Sequence, residues 1–281
     1  MLKVLQSGFY TSIQDIGRFG FREYGVPFSG AMDAYSLKYA NAILGNNEND
    51  AVIEMTMVGG IFQFTEATVI VISGADMEPK LNDRVAQLNS PINIKAGDIL
   101  SFGRALKGFR SYLAIKNGFK TPLILRSRSL YKPITESSMI ANGDMIQYTG
   151  YNEFYHQNAS VKYDSSIFSN TLIEAFKGPE FNRLSEIQKA TLFNSELKVS
   201  SLNNRMAYQL EPLLKNDMGP ILTSPVLPGT VQLTPQGNII VLMRDCQTTG
   251  GYPRILQLTE KAINILSQKT TGNTLKIRQK V

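Results

Sequence analysis

Short apolar runs that break on glycine- or asparagine-rich turns set the limits on what this chain can fold into. Val69-Ile-Val-Ile72 stops at Ser73-Gly74, Ile92-Asn-Ile94 at Ala96-Gly97-Asp98, and Tyr112-Leu-Ala-Ile115 at Asn117-Gly118. Runs this short, rich in β-branched residues and closed by turn formers, read as strands, and Asn-Gly favours a hairpin turn. Helical periodicity is scarce. The clearest helix opens near residues 29–33 and runs through Ala34–Leu44, where Leu37, Ala40, Ile43 and Leu44 share one face and Gly45 supplies a stop. A second is expected over 183–193 and a short one over 260–266. The fold class read from this pattern is mainly β with a few helices.

A chain of 281 residues can bury one large core or two modest ones. Gly60-Ile-Phe-Gln-Phe-Thr65 and Gly229-Thr-Val-Gln-Leu-Thr234 share G-x-h-Q-h-T, with h apolar. Each precedes an apolar strand and then an aspartate at the same distance, Asp76 and Asp245. Arg18-Phe-Gly-Phe-Arg22 matches Arg205-Met-Ala-Tyr-Gln209, and Ala96-Gly-Asp98 matches Thr271-Gly-Asn273, in the same order. Such ordering is expected of two related β domains. The first would span residues 1–150 with the 31–44 helix as an insertion. A linker region over 151–170 would lead to the second domain, over 171–281.

Composition removes several kinds of chemistry. With 43% hydrophobic and 19% charged residues the chain is of ordinary globular type, and its net charge of +6 comes from scattered lysines and arginines. No basic block marks a nucleic-acid surface, so no nucleic-acid partner is expected. No run is long and apolar enough for a bilayer, and the start lacks a signal-peptide core, so a cytoplasmic protein without a membrane role is expected. One cysteine, Cys246, leaves no internal disulfide and no cysteine metal site, and beside Arg244 alone it reads as a packed thiol. The single histidine, His156, falls in the polar stretch 151–160 and reads as solvated. Ser-His-Asp, Cys-His and zinc chemistry are therefore set aside, no metal is expected, and acid–base work falls to Asp, Glu, Lys or Tyr. There is no Walker loop, no G-x-G-x-x-G and no biotin-carrying A/V-M-K-M segment.

Two constellations remain. Asp245-Cys-Gln-Thr-Thr-Gly-Gly-Tyr-Pro253 follows the apolar run 238–243, so a buried strand delivers a polar loop to one point; a plain hairpin turn is the competing reading. In the N-terminal run 8–33, Gln14, Asp15, Arg18, Ser29 and Asp33 are interleaved with glycines at 17, 20, 25 and 30. Arg18 could fork onto an anion, or pair with Asp15 to pin a loop. Ser29 and Asp33 could touch a substrate, or cap the helix. Glu54, a carboxylate in Val52-Ile-Glu-Met-Thr56, is an acid–base candidate if buried and a surface residue otherwise. Arg205 is a further anion contact or a solvated cation, and Gln232 a strand residue or a substrate contact. Asp15, Glu54 and Asp245 are the acid–base candidates. Arg18, Ser29, Asp33, Arg205, Gln232, Thr248, Thr249, Gly250, Gly251 and Tyr252 are the substrate-binding ones, with 248–251 placed to supply donors to an oxyanion.

The segment T-S-I-Q-D-I-G-R-F-G-F-R-E-Y-G-V-P-F-S-G-A-M-D, residues 11–33, resembles the opening signature of the allophanate hydrolase subunit 2 family. That family includes the C-type subunit of 5-oxoprolinase, the antagonist of the kinase inhibitor KipI, and the biotin-dependent carboxyltransferase domain of urea carboxylase. The resemblance continues through Glu54-Met-Thr56, Ser73-Gly-Ala75, Gly108-Phe-Arg-Ser-Tyr-Leu-Ala114 and Ser127-Arg-Ser129. It resumes at Gly178-Pro-Glu180, Asn204-Arg-Met206, Pro228-Gly-Thr-Val-Gln232 and the loop 245–253. It implies two cyclophilin-like β-barrel domains in tandem, with a substrate site between them. It also implies a subunit 1-type partner, similar to KipI or to the B-type subunit of 5-oxoprolinase. A chain like the A-type subunit of 5-oxoprolinase, or a biotin carrier chain, would complete the complex. The implied activity is ATP-dependent opening of 5-oxoproline, a cyclic amide, in a complex whose ATP-binding chain the resemblance does not identify. The alternatives are carboxyl transfer from carboxybiotin on another chain to urea or a similar small amide, and a non-enzymatic KipI antagonist. The chain departs from the family at Asn204 and Gln209, where S-D-R-M-G-Y-R-L is usual, at Ser224-Pro-Val226 for S-E-G, and at Arg126 in the usual L-G-S-R-S. Loss of charged partners at these points puts charge-assisted contacts of the second half in question.

Overall fold

The chain folds as two units, and the N-terminal signature is divided between them. Unit 1 comprises Met1–Arg18 and Ser29–Ser165, and unit 2 comprises Phe19–Phe28 and Ser166–Val281. The computed structural model describes residues 1–153 and 161–280, so His156 lies outside the described residues.

In unit 1, β1 (Leu2–Gln6) and β2 (Tyr10–Gln14) precede α1 (Ala34–Leu44). They are followed by β3 (Val52–Thr56), β4 (Ile61–Phe64), β5 (Thr68–Asp76), β6 (Lys80–Leu81) and β7 (Arg84–Val85). Then come β8 (Ile92–Ile94), β9 (Ile99–Ser101), β10 (Lys107–Ile115) and β11 (Met145–Ile146). A six-stranded sheet runs β11-β1-β4-β9-β6-β7 and a five-stranded sheet runs β2-β3-β10-β5-β8. Both sheets fill one core, with Leu2, Val4, Phe62, Phe64 and Leu100 from the first and Ile13, Ile53, Met55, Ile72 and Leu113 from the second.

β3, β5 and most of β10 are buried without alternation, polar residues included, because both of their faces are covered. One face looks into that core, and α1 packs on β5 and β10 from the other side. An antiparallel sheet with one wet face would alternate instead. The helix is bounded as its sequence demands: Asp33 caps it by accepting from Ser36 N at 3.1 Å, and Gly45 ends it at φ 61°.

In unit 2, α2 (Ser166–Ser169) and β12 (Leu172–Lys177) lead to α3 (Glu186–Asn194), β13 (Leu197–Asn203) and β14 (Ala207–Glu211). β15 (Ser224–Pro225), β16 (Thr230–Leu233), β17 (Ile239–Leu242) and β18 (Thr249–Gly250) follow, then β19 (Arg254–Leu258), α4 (Glu260–Ser267) and β20 (Thr274–Gln279). Seven strands close a barrel, β12-β19-β16-β17-β14-β13-β20, sealed by the parallel β20–β12 pair. α3 starts at 186 rather than 183 because Ser185 and Gln188 form a reciprocal capping box, while Phe181–Arg183 is a separate 3-10 turn.

The mainly β architecture with a few helices is thus the one expected. The G-x-h-Q-h-T repeats, however, do not occupy equivalent positions. β16 and β17 pair with each other, whereas β4 and β5 belong to different sheets. Asp76 accepts from Glu78 N at 2.9 Å, and Asp245 pairs with Arg205. A turn glycine followed by alternating apolar residues suits any half-buried strand, so the shared pattern carries no topology.

Candidate active site

Four strands of the five-stranded sheet set Ser12, Glu54, Tyr112 and Ser73 directly opposite one another, from β2 through β3 and β10 to β5. Opposed residues of antiparallel strands share a face, and this is the face turned away from the apolar core. A neighbouring row holds Tyr10, Thr56 and Arg110. All but Tyr10 are buried. The carboxylate in an apolar run is therefore not at the surface: Glu54 lies in a polar layer between the sheet and the chain that covers it.

The covering chain is the stretch 29–33 that leads into α1. Met32 N donates to Glu54 Oε2 at 2.7 Å, Asp33 N donates to Tyr112 Oη at 2.8 Å, and Tyr112 O–H donates to the same Glu54 Oε2 at 2.8 Å. Arg110 Nε stands 4.0 Å from Glu54 Oε1. Burial, and then the charge of Glu54, hold the Tyr112 hydroxyl well above its usual pKa, so it remains a donor. Asp33 is spent on the helix start, accepting from Ser36 N and from Ser36 Oγ at 2.5 Å, and Ser73 Oγ donates to Ser36 O at 2.8 Å.

Ser29 enters this stretch at φ 56°, a left-handed backbone that costs a residue with a side chain about 1–2 kcal/mol. Beside it Gly30, at φ 86°, lies so close to Ile16 and Gly17 that a Cβ would sit 2.8 Å from Ile16 C, and Ala31 N donates to Asp15 O at 2.9 Å. Ser29 Oγ, Gln14 Oε1 and Thr56 Oγ1 are buried side-chain atoms of this region with no hydrogen-bond partner among the described residues. The Gln14 amide cannot be turned to hide its oxygen, because Nε2 donates to Leu130 O (3.3 Å) and to Ser12 Oγ (2.9 Å). Buried polar atoms are normally paired. Gln14 lies opposite Val52 and Thr56 opposite Tyr10, so Thr56 stands four positions along the sheet from Gln14, whereas the bond from Ala31 N to Asp15 O ties the Ser29 stretch to the Gln14 end.

Asp15 is fully engaged. Oδ1 accepts from Gly17 N (2.8 Å), Ser127 Oγ (2.7 Å) and Ser129 Oγ (2.7 Å), and Oδ2 accepts from Arg128 N (2.6 Å). Arg18 donates to the Ser129 carbonyl, so Asp15 and Arg18 both hold the 127–129 turn. Leu125 and Arg126, at φ 50° and 61°, form the tip of that turn, which explains why glycine is usual where this chain has Arg126.

In unit 2 the second-half candidates surround the loop 245–253. Arg205 grips Asp245 with two bonds, Nε to Oδ2 at 2.8 Å and Nη2 to Oδ1 at 3.1 Å, and both side chains are nearly buried. The expected anion contact and acid–base carboxylate thus face each other. β18 pairs with β15, and the loop's carbonyls are taken up: Thr248 O by Val226 N, Gly251 O by Ile221 N, and Tyr252 O by Gln232 Nε2 at 3.4 Å. Gln232 lies directly under Gly250, where a Cβ would approach its Nε2 to 2.6 Å, while Thr249 and Tyr252 are exposed. Arg22, from the N-terminal signature, donates to Val226 O and to Thr248 O (3.0 Å) and stacks on Phe28. Cys246 packs beneath with Val226 and Leu242, and burial pushes its thiol up to about 11, which keeps it protonated and unreactive at neutral pH.

Two of the departures in this half keep local bonds. Asn204 Oδ1 accepts from Met206 N (2.8 Å) and Ala207 N (3.0 Å), the turn role an aspartate would fill, and Gln209 Nε2 donates to Asn238 Oδ1 at 3.0 Å. Sequence reasoning missed Tyr112, Arg110, Ser127, Ser129 and Arg22. All five lie in segments that carry the family likeness, and the isolated polar residue in each apolar or glycine-rich run was the available signal.

Glu180 accepts from Arg254 Nε (3.0 Å), Nη2 (2.9 Å) and the Arg254 backbone N (2.8 Å), and the guanidinium bonds hold its carboxyl below the usual range. A depressed folded-state pKa stabilises above the unfolded value and is lost as pH falls through the folded one. Unit 2 should therefore lose stability as pH drops below about 4.3. Acid melts of Glu180→Gln should show a shallower decline than wild type over that window.

Among the described residues no group of three or more His, Cys, Asp or Glu side chains could hold a metal ion, and no helix is long and apolar enough to cross a membrane. The carboxyltransferase domain model, subdomains A and B, matches residues 24–279. The chain belongs to the carboxyltransferase domain family. It is 32% identical over 281 residues to the C-type subunit of Escherichia coli 5-oxoprolinase, covering 98% of this chain and 90% of that protein. It is 43% identical over 130 residues to urea amidolyase of Lachancea kluyveri, covering 46% of this chain and 7% of that protein. The solved urea amidolyase of K. lactis superposes with a TM-score of 0.86 at 27% identity, over 98% of this chain and 18% of that one. The carboxyltransferase-type chain therefore spans nearly the whole of its bacterial relative and under a fifth of the fungal structure.

Proposed function

We propose that this carboxyltransferase-type chain is the C-type subunit of an ATP-dependent 5-oxoprolinase complex and seats the cyclic amide that the complex opens. The observation that supports this reading is the pair of orphaned buried atoms Ser29 Oγ and Gln14 Oε1, on two stretches that the bond from Ala31 N to Asp15 O joins. One amide oxygen that only accepts and one hydroxyl that can donate match a lactam, which offers one N–H and one C=O. The carboxylates proposed for acid–base work are committed elsewhere: Asp15 to four donors, Glu54 to Met32 N and the Tyr112 hydroxyl, Asp245 to Arg205. Asp33, proposed to bind substrate, caps the helix. The chain's part is thus binding and orientation, and ATP chemistry falls to partner chains of the A-type and the B-type (KipI-like) kinds. The long match to the C-type subunit of E. coli 5-oxoprolinase supports this choice of substrate.

A second reading is carboxyl transfer to urea or a similar amide, favoured by the 43% local identity to a urea amidolyase. The same orphaned atoms would hold urea. A carboxylated biotin carried by another chain presents mainly oxygens and would find only the Ser29 hydroxyl as a donor there, so the pair fits the amide better than the carboxyl donor.

Co-expression with the neighbouring partner chains, followed by assays of ATP hydrolysis, separates the readings. Hydrolysis dependent on 5-oxoproline supports the first. Hydrolysis dependent on urea and bicarbonate, and requiring a biotin carrier, supports the second. A tight complex with neither activity refutes both.

A further inference from the structure

We infer that Tyr112 and Glu54 are positioning residues, a buried hydroxyl–carboxylate pair that clamps the Met32-Asp33 backbone and so presents the Ser29 hydroxyl to a bound amide. The inference rests on the substrate seat proposed above and reassigns Glu54 from acid–base work to support.

One carboxylate oxygen, Glu54 Oε2, accepts from both Met32 N–H and Tyr112 O–H, and the Tyr112 oxygen accepts from Asp33 N–H. Two successive backbone amides are thus tied to two strands of the sheet by three bonds of 2.7–2.8 Å. These two amides lie immediately before the helix, where backbone N–H groups have no intrahelical partner. Asp33's own carboxylate serves Ser36, so without the clamp neither amide has a partner in reach of its own segment.

Upstream, Ser29 is held in the left-handed region only if both ends of its stretch are fixed. Ala31 N on Asp15 O fixes one side, and the clamp fixes the other. The result is a serine whose strained backbone is overdetermined by its surroundings and whose hydroxyl is buried without a partner. Glu54 suits this role better than proton transfer: its Oε2 already accepts two bonds, and its Oε1 faces Arg110.

The test uses the assembled complex and the isolated chain together. Tyr112→Phe removes one oxygen and keeps the ring. In the complex it should raise KM for 5-oxoproline about tenfold, the equivalent of one lost hydrogen bond to a neutral group, with kcat changed less than about threefold. Ser29→Ala should raise KM by a similar factor. The double variant should match Ser29→Ala alone, since Tyr112 acts through Ser29. Glu54→Gln keeps an acceptor oxygen and should recover most of the turnover that Glu54→Ala loses. In the isolated chain, amide exchange at Met32 and Asp33 should accelerate at least tenfold in Tyr112→Phe.

Additive KM effects of Tyr112→Phe and Ser29→Ala, or a Glu54→Gln complex as dead as Glu54→Ala with unchanged KM, would overturn the assignment. Unchanged exchange at Met32 and Asp33 would overturn the clamp itself. If the wild-type complex fails to turn over 5-oxoproline while exchange responds as stated, the substrate reading fails and the clamp stands.

Discussion

Replacing Asp15 by alanine should destabilise unit 1 by about 3–5 kcal/mol, among the largest effects of any single change in that unit. Four donors converge on this one buried carboxylate: two serine hydroxyls and two backbone amides from positions 17 and 127–129. Truncation leaves all four without an acceptor in a site that water does not reach, and stranded buried donors cost more than the bonds themselves contribute. Asp15→Asn keeps one acceptor oxygen but aims an amide donor at groups that are themselves donors, so it should recover less than half of the loss. Urea melts of the two variants give both numbers. A folded Asp15→Ala chain with wild-type stability and no activity in the complex would show that the aspartate works on substrate rather than on the turn.

The pairing of Asp15 with the 127–129 turn marks the limit of what the sequence discloses. Strands, the α1 boundaries and the mainly β class were legible, because they follow from local signals: apolar runs, Asp33 and Gly45 as caps, Asn-Gly and Ala-Gly-Asp turns. The chemistry-bearing residues in the first half were also legible as types, since polar residues in apolar or glycine-rich surroundings are conspicuous. Their partners were not. Ser129 is more than a hundred positions from Asp15, and Tyr112 nearly sixty from Glu54, and strand register between them is fixed only by the folded sheet. Roles shifted for the same reason. Arg205 and Asp245 each look like free charged groups until the β13–β14 turn brings them together. Glu54 could be placed at the surface or inside until both faces of β3 were seen to be covered. Conversely, Asp33 as a cap was open to view, because its partner is three residues away.

The Arg205–Asp245 pair allows the sharpest separation of structural from chemical roles. Asp245→Ala leaves Arg205, a residue 6% exposed, without this carboxylate, and unit 2 should lose about 3–5 kcal/mol. Arg205→Ala should cost a similar amount, since Asp245 is then the stranded charge. The double replacement Arg205→Met with Asp245→Leu removes both charges and keeps the volume, and pairs of this kind are often neutral or better when exchanged for apolar residues. The double variant should therefore fall within about 1–2 kcal/mol of wild type, a coupling energy of at least about 3 kcal/mol when the three melts are combined in a cycle. The backbone bond from Asp245 N to Arg205 O, at 3.0 Å, survives every substitution and keeps the loop in register. A stable double variant can then be carried into the complex. If turnover is retained, the pair only anchors the loop that ends in Thr248-Thr-Gly-Gly-Tyr252. If the double variant melts like wild type but turnover is lost, one of the two groups meets substrate, and single variants with the partner neutralised identify which.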